Sequence, residues 1–484
     1  MIRPLETKAI KFSKLANAIG IEYFGSDFEV SGVAQNATDV MPGDIFVAIE
    51  GAKHHGAEFA AQAAKQGAIA VITDATGSEL VKNLPTIVVG NPRKLVGELA
   101  AAFHDQPMRN MFTVGITGTN GKTTVTTLLH QIWQAAGWSS GLIGTVNTLI
   151  DSEILPSSHT TPEASDLQSL MATMRERHVR AVAMEVSSHG LELHRISGSH
   201  FNIVGFTNLT QDHLDFHQNI ENYFNAKQKL FQFGLSDQAV INIDDEFGQR
   251  LAELTDIPVV TISRNSSKAD WHYESIDGER IRIRGTGGIL IEGRTPLIGD
   301  FNLDNLLLAI AIAVLSGVEP IDISANLSKY RGAPGRFEKV ELGQPFTAFV
   351  DYAHTPDAVQ RVLAAAKRLT SGNLIAVLGC GGDRDRSKRP LMGDALVKFS
   401  DIAIFTSDNP RSENPELILK EMVGNHSGEV ISDRKKAIEK AVSMAKPGDV
   451  IAILGKGHES GQEINGAKLP FDDLKVLANA IAGN

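Results

Sequence analysis

The chain has 484 residues, 42% of them hydrophobic and 21% charged, with 44 glycines and 18 prolines. This is ordinary globular usage; it excludes a largely disordered, collagen-like or coiled-coil chain and, at about 150 residues per domain, predicts roughly three domains. Forty-six basic against 57 acidic residues leave a formal charge of −11, and with no long basic run this argues against a nucleic-acid or anionic-membrane partner.

A single cysteine, Cys380, permits no internal disulfide and no Cys-based zinc site, which points to an intracellular, cytoplasmic chain. Met1–Lys14 alternates polar and apolar residues and carries no signal-peptide core. The longest apolar stretch, Leu306–Leu315, is shorter than the about 20 residues that a bilayer span needs, and predicts a buried helix.

In chain order, short β-rich runs alternate with helical patterns. The predicted strands include Thr113–Thr117, Arg180–Val186, Ala239–Ile243, Thr347–Val350, Leu374–Leu378, Ile402–Thr406 and Val450–Leu454. The predicted helices include Lys122–Ala136, Asn302–Ser316, Pro356–Leu369 and Arg434–Ala445. Such alternation is the pattern of an α/β fold with mostly parallel sheets. Two polar Pro- or Gly-containing segments, His104–Asn110 and Tyr330–Arg336, suggest domains at 1–108, 109–335 and 336–484.

Val114–Thr124 reads VGITGTNGKTT, an apolar strand entering Gly118-Thr119-Asn120-Gly121-Lys122-Thr123-Thr124. The strict GxxxxGK[ST] pattern would have glycine at 116, where this chain has Ile116. The physics is that of a phosphate loop all the same. Gly118 and Gly121 let backbone N–H groups turn toward one anion, the helix N-terminus adds its dipole, Lys122 offsets phosphate charge, and Thr123 can place a hydroxyl on Mg²⁺. A plain strand-to-helix turn is the bland alternative, and GKTT after a strand argues against it.

Arg180–Gly190 reads RAVAMEVSSHG, a strand ending in Glu185, the position where an acid beside a phosphate loop holds Mg²⁺. Phe206–His217 reads FTNLTQDHLDFH. His213 and His217 at i,i+4 could share a helix face and hold zinc; a single histidine, His213, near magnesium is preferred beside a triphosphate, with a loop capped by Asp212 as the plain alternative. In ENYFNAKQKLFQF, Lys227 shares a predicted helix face with Tyr223 and Phe231. By spacing alone it reads as a snorkelling lysine. Asn302 and Asn305, in GDFNLDN, could read a base edge or cap a helix, and spacing alone favours capping.

Taken together and in this order, GTNGKTT, MEVSSH, NLTQDHLDFH with AKQKLF, GDFNLDN, APGRFE and VDYAHTPDA resemble the signatures of the Mur ligase family of peptidoglycan synthesis. The resemblance covers nearly the whole chain. TTPEASDLQ, GCGGDRDRSKRP, DNPRSENP and GKGHE point, within that family, to addition of the third amino acid to UDP-N-acetylmuramoyl-L-alanyl-D-glutamate. The resemblance implies three α/β domains, with a P-loop NTPase-like central parallel sheet and a Rossmann-like C-terminal domain. It also implies a cytoplasmic, monomeric ATP-dependent ligase.

Roles follow by resemblance. Gly118, Thr119, Asn120, Gly121, Lys122, Thr123 and Thr124 would bind ATP, with Asn302 and Asn305 on adenine and Arg336 and Asp351 closing from the third domain, Asp351 toward the ribose. Thr123 and Glu185 would hold one Mg²⁺ and His213 a second, with a carbamate on Lys227 facing a metal. Thr160, Thr161, Ser187 and Arg195 would bind the UDP-sugar peptide. Arg384, Asp408, Asn409, Pro410, Arg411, Gly455 and Glu459 would bind the incoming amino acid, and DNPR goes with meso-diaminopimelate rather than L-lysine. Asn36-Ala37-Thr38 stands where the family often shows Asp-Ser-Arg, so no contact to uridine is implied from that run. Two rivals share parts of the pattern: a folylpolyglutamate-synthetase-like ligase and a non-catalytic ATP-binding P-loop protein. The first does not account for the long N-terminal domain or for DNPR, and the second would not need Lys227 or the C-terminal cluster of acids and arginines.

Overall fold

A computed structural model describes residues 1–155 and 159–483. Its strands gather into three principal sheets, each flanked by helices. The first is a four-stranded parallel sheet ordered Gly32–Ala34, Asp44–Val47, Ala70–Thr73 and Thr86–Val88. Its two middle strands are buried on both faces, which is why they read as continuous runs rather than alternating ones. The helix Pro92–Phe103 starts where Asn91 accepts from the Lys94 amide and Pro92 fixes the first turn.

The second sheet has eleven strands. Phe112–Thr117 lies in its middle, parallel to Ala181–Glu185 on one side and to Phe201–Phe206 on the other. The sheet is mixed rather than parallel throughout. Thr148–Ile150 and Glu153–Leu155 form one antiparallel margin; at the other, Trp271–Asp277 joins parallel to Val259–Ser263, and Arg280–Arg284 and Leu290–Arg294 follow it in antiparallel pairs. These margins are hairpins closed by short turns, which need no crossover helix. The helix Asp300–Leu315 packs between the phosphate-loop helix Lys122–Ala135 and the strand Ser236–Asn242. Leu306 through Ala313 are all buried, so a helix apolar on every side is the expected outcome.

The third sheet has six strands, with Thr347–Asp351, Val450–Leu454, Leu374–Cys380 and Ile402–Ser407 parallel at its centre. Glu338–Lys339 adds an antiparallel edge. Arg434 and Asp473, both fully buried, form a two-pronged ion pair beneath it, at 2.7 and 2.6 Å. Each predicted strand and helix named above is present, with ends displaced by up to three residues. Glu221–Phe233 departs most: it is an α-helix only over Ile220–Gln228 and then tightens to a 3₁₀ turn over Lys229–Phe231.

Polar contacts tie the sheets together near their carboxyl ends. Gln35 Nε2 donates to Glu163 Oε2 at 2.7 Å. Gln131 grips the connecting segment from both sides, donating to the Arg331 carbonyl at 3.1 Å and accepting its amide at 2.7 Å. Lys388 reaches Asp212 at 3.1 Å.

Candidate active site

The carboxyl ends of Phe112–Thr117 and Ala181–Glu185 lie side by side, the position where open α/β sheets bind ligands. Gly118 and Gly121 have φ of +143° and +92°, backbone that favours glycine. A Cβ on Gly118 would stand 1.8 Å from Thr207 Oγ1, and one on Gly121 would stand 2.2 Å from Asn305 Oδ1. Ile116, at the glycine position of the strict motif, is instead fully buried within the strand. Thr119 Oγ1 is 3.2 Å from the Tyr223 hydroxyl, and the Asn120 amide donates to Asn208 Oδ1 at 3.1 Å.

Two lysines converge on one carbonyl of this loop. Lys122 Nζ donates to the carbonyls of Gly118 and Thr119, each at 2.9 Å, and Lys227 Nζ donates to the same Gly118 oxygen at 2.8 Å. Burial lowers both lysine pKa values, and Lys227 is pushed well below the ordinary lysine range, with repulsion from Lys122 as a second cause. Lys227 is 1% exposed and stands 4.5 Å from the centre of the Tyr223 ring. It does share the aromatic face, but it is enclosed, and it does not snorkel to solvent.

Glu185 is buried at the end of its strand. One carboxylate oxygen accepts the Thr145 amide at 2.8 Å, and the other accepts the hydroxyls of Thr123 and Thr145, both at 3.1 Å. Thr124 is buried beside Thr123. His213 has φ +54° and opens the short helix Leu214–His217. Burial brings its imidazole down to about 4 against the opposing pull of Asp212, whose carboxylate is 3.4 Å away. His217 pairs with Ser188 Oγ at 2.9 Å, while His213 faces Asp212. Among the described residues, no three His, Cys, Asp or Glu side chains gather as a metal site. Hard oxygen donors at Glu185 and Thr123 suit Mg²⁺, which typically takes one or two carboxylates and completes its shell with waters and phosphate oxygens.

On the side facing the first domain, Thr161 Oγ1 lies 3.1 Å from Ser187 Oγ and donates to the Glu185 carbonyl at 3.0 Å. Arg195 donates to the Thr161 carbonyl at 3.1 Å and pairs with Glu163 at 2.7 Å. Thr160 meets Thr145 hydroxyl to hydroxyl at 2.9 Å. These four expected residues therefore form one patch bonded to Glu185.

On the opposite side, a cleft between the second and third sheets is lined by Asn120, Gly121, Asn302, Asn305, Arg336 and Asp351. Asn302 and Asn305 are not caps. The helix begins at Asp300, Gly299 precedes it, and Asn302 Nδ2 donates to the Ile298 carbonyl at 2.8 Å from within the first turn. Arg336 stacks 4.5 Å from the centre of the Tyr352 ring, and its Nε is buried without a partner. Asp351 accepts the amides of Phe337 and Ala353, both at 2.7 Å, so it organises the turn that carries Arg336 as well as lining the cleft.

A separate cleft in the third domain is lined by Asn409, Arg411, His458, Glu459, Glu463 and Lys468, with Val146 and Asn147 facing them from the second. Glu459 Oε2 accepts from Asn409 at 2.8 Å and from the fully buried Lys456 at 2.9 Å. Lys456 also donates to Asn409 Oδ1 at 2.9 Å. Asp408 is buried, which raises its carboxyl, and Gly455 packs against it. Arg384 is exposed on the loop beside Gly381, which Arg411 also approaches. Pro410 precedes Arg411, which has φ +51°.

Sequence reasoning missed Thr145, Lys456 and the hairpin Gly461–Ile464/Ala467–Pro470 that closes this cleft. The hairpin had a signal: Asn465-Gly466, with both φ positive (+50° and +76°), is the preferred pair for a two-residue hairpin turn. Thr145 had none, because only the fold brings it to Glu185.

A buried carboxylate beside a phosphate loop, two lysines on one loop carbonyl and a third-domain arginine over the same cleft define an ATP-dependent ligase class. The chain belongs to the Mur ligase family. Profiles described as Mur ligase middle domain, Mur ligase glutamate ligase domain and Mur ligase family catalytic domain match residues 116–313, 335–457 and 29–104. A relative from Streptomyces coelicolor, UDP-N-acetylmuramoyl-L-alanyl-D-glutamate--2,6-diaminopimelate ligase, is 45% identical, with 99% of this chain and 98% of that protein covered. A solved structure bearing the same ligase name is 33% identical, with a TM-score of 0.73 over 98% of this chain and 99% of the other. Mycobacterium tuberculosis folylpolyglutamate synthase, solved with ADP and AMPPCP, is 18% identical and shares the fold at a TM-score of 0.60, over 75% of this chain and 92% of its own.

Proposed function

We propose that this protein is the ligase that joins meso-diaminopimelate to UDP-N-acetylmuramoyl-L-alanyl-D-glutamate at the expense of ATP, acting in the cytoplasm as a monomer. The observation that carries this reading is the paired approach of Lys122 and Lys227 to the Gly118 carbonyl. Lys122 brings a cation to where the loop's backbone turns, which suits a triphosphate that must be attacked by another anion, and Lys227 brings a buried amine beside it. A free carboxylate is a poor acyl donor at neutral pH. Its attack on the γ-phosphorus forms an acyl phosphate and releases ADP. The amine then attacks the acyl carbon, loses a proton and expels inorganic phosphate, leaving the amide.

Each proposed region has a task. Residues 1–108 and the Thr160, Thr161, Ser187 and Arg195 patch hold the UDP-sugar peptide. Residues 109–335 hold ATP through Gly118 to Thr124, with Asn302 and Asn305 on the base. Residues 336–484 bring Arg336 and Asp351 over the nucleotide and present the amino acid from the cleft of Arg384, Asp408, Asn409, Pro410, Arg411, Gly455 and Glu459. Lys122 offsets the repulsion between two anions, and losing one such electrostatic contact costs about 3–4 kcal/mol of barrier.

One Mg²⁺ at Thr123 and Glu185 and a second at His213 would supply further neutralisation of phosphate charge. His213, kept neutral at physiological pH by burial, can offer a nitrogen lone pair. Lys227 fits a carbamate, because CO₂ adds to the neutral amine and its burial favours that form. A carbamate there would give an anion able to face a cation.

The direct test is ADP release with ATP and UDP-N-acetylmuramoyl-L-alanyl-D-glutamate against a panel of amino acids. The reading expects turnover with meso-diaminopimelate and little with L-lysine or L-glutamate. Efficient ligation of L-lysine would overturn the specificity and leave the ligase class standing. Rapid ATP hydrolysis without the UDP substrate would contradict the acyl-phosphate route.

A further inference from the structure

Arg411 is not a free guanidinium. Its Nη1 donates to the Gly382 carbonyl at 2.6 Å, and its Nε lies 3.3 Å from Glu463 Oε2. The backbone fixes the same two residues: the Arg411 amide donates to the Glu463 carbonyl at 3.0 Å, and the Asn465 amide donates to the Arg411 carbonyl at 2.7 Å. The Glu463 amide donates in turn to Asn409 Oδ1 at 2.9 Å. The hairpin carrying Glu463 is thus stitched to the Asp408–Arg411 loop along its length.

We propose that Glu463 is a positioning residue for Arg411 and thereby sets recognition of the far carboxylate of the diamino acid; this rests on reading the third-domain cleft as the amino-acid site. A guanidinium can grip a carboxylate along its Nε/Nη2 side or end-on through Nη1 and Nη2. Glu463 occupies the Nε side, and Gly382 takes one Nη1 hydrogen. The end-on fork remains, with Nη2 and the second Nη1 hydrogen available. Glu463 therefore selects one of two binding edges and fixes the direction from which a carboxylate arrives. L-Lysine, which lacks that carboxylate, has nothing to gain from the arrangement.

The test is steady-state kinetics of the full-length protein with Glu463→Ala, Glu463→Gln, Arg411→Ala and the Glu463→Ala/Arg411→Ala double variant. Glu463→Ala is expected to raise KM for meso-diaminopimelate about 3–5-fold, the scale of a partly exposed ion pair. KM for ATP and for the UDP substrate should stay within about twofold, which also reports an intact fold. Glu463→Gln keeps an oxygen for Nε and should recover most of the loss. In the Arg411→Ala background, Glu463→Ala should add nothing, because its effect runs through Arg411. Effects that multiply in the double variant, or a KM for meso-diaminopimelate unmoved by Glu463→Ala, overturn this role. Absence of meso-diaminopimelate ligation by the wild-type protein instead overturns the functional reading itself, and that appears before any variant is compared.

Discussion

The phosphate loop and the third-domain cleft, the two proposed anion sites, are built by different means. At the phosphate loop, recognition is built from backbone. Two glycines turn the chain, a helix starts, and the side chains that matter, Lys122 and Thr123, lie within six positions of the strand. In the third-domain cleft, recognition is built from side chains drawn from distant segments. Asn409, Lys456 and Glu459 bond one another across some fifty positions, and Arg411 is held by Gly382 and by a hairpin that follows both. A backbone site tolerates little change in shape but needs few particular side chains. A side-chain site can be retuned for a new ligand by a single substitution, at the cost of a network that must be satisfied throughout.

The sharpest way to break the first site is at its lysines. Lys122→Ala or Lys227→Ala is expected to lower kcat by at least about 100-fold, as loss of a preorganised electrostatic group does. Only Lys227→Ala should recover part of its activity when a short carboxylate such as acetate is added, because acetate can replace a carbamate and cannot replace a phosphate-binding ammonium. Equal recovery of both variants, or recovery of neither, would separate Lys227 from the carbamate role.

The next largest effect belongs to the side-chain site. Arg411→Ala should raise KM for meso-diaminopimelate about 10–150-fold, the span for loss of a charge-assisted contact. KM for ATP, proposed to bind in the other cleft, should change little. A parallel rise in both constants would mean that Arg411 serves domain closure and not amino-acid recognition.

Gly121→Ala probes the backbone site without removing any charge. Its φ of +92° and the 2.2 Å approach to Asn305 Oδ1 predict strain of about 1–3 kcal/mol. Because Asn305 lines the nucleotide cleft, that strain should appear as a raised KM for ATP and a lowered thermal midpoint, with KM for the amino acid preserved. The measurement is a thermal scan beside the two Michaelis constants.

This contrast also explains what could be read from the sequence. The alternation of strands and helices, the phosphate loop, and the strand ending at Glu185 are local patterns, and each appears in the fold close to where periodicity puts it. Lys227 was visible as an oddity, a lysine on an aromatic helix face, but its enclosure depends on the loop that supplies the Gly118 carbonyl. The antiparallel margins of the large sheet were not legible, since hairpins at an edge leave the same β-rich runs as parallel strands do. Asn302 was misread as a cap because the helix starts two residues earlier, after Gly299. Thr145 and Lys456 carry no signal of their own. A threonine in a turn and a lysine between two glycines gain meaning only when Glu185 and Glu459 arrive from elsewhere in the chain.

The smallest expected effect concerns two histidines, one in each site, brought to the same value by different surroundings. His213 and His458 are both lowered to about 4, in each case chiefly by burial. Next to His213, the Asp212 carboxylate opposes the shift; next to His458, the Arg336 guanidinium reinforces it and Glu459 opposes it. Both are therefore neutral in the folded protein at pH 6, where an unfolded histidine, near 6.5, is largely protonated. The unfolded chain binds more protons between about pH 4 and 6.5, so stability rises with pH across that window and is lost as pH falls through it. Both rings are partly exposed, that of His213 by 46%, so solvent screening keeps the contribution of each small. His458→Gln should flatten the dependence of the thermal midpoint on pH between 4 and 6.5. Arg336→Ala should raise the His458 midpoint in an NMR titration while leaving that of His213 nearly in place, because Arg336 acts on His458, whereas the cations acting on His213 are His189, Lys122 and Lys227. A His458 midpoint already near 6.5 in the wild-type protein would show that the third-domain cleft is open to water where the structure has it enclosed.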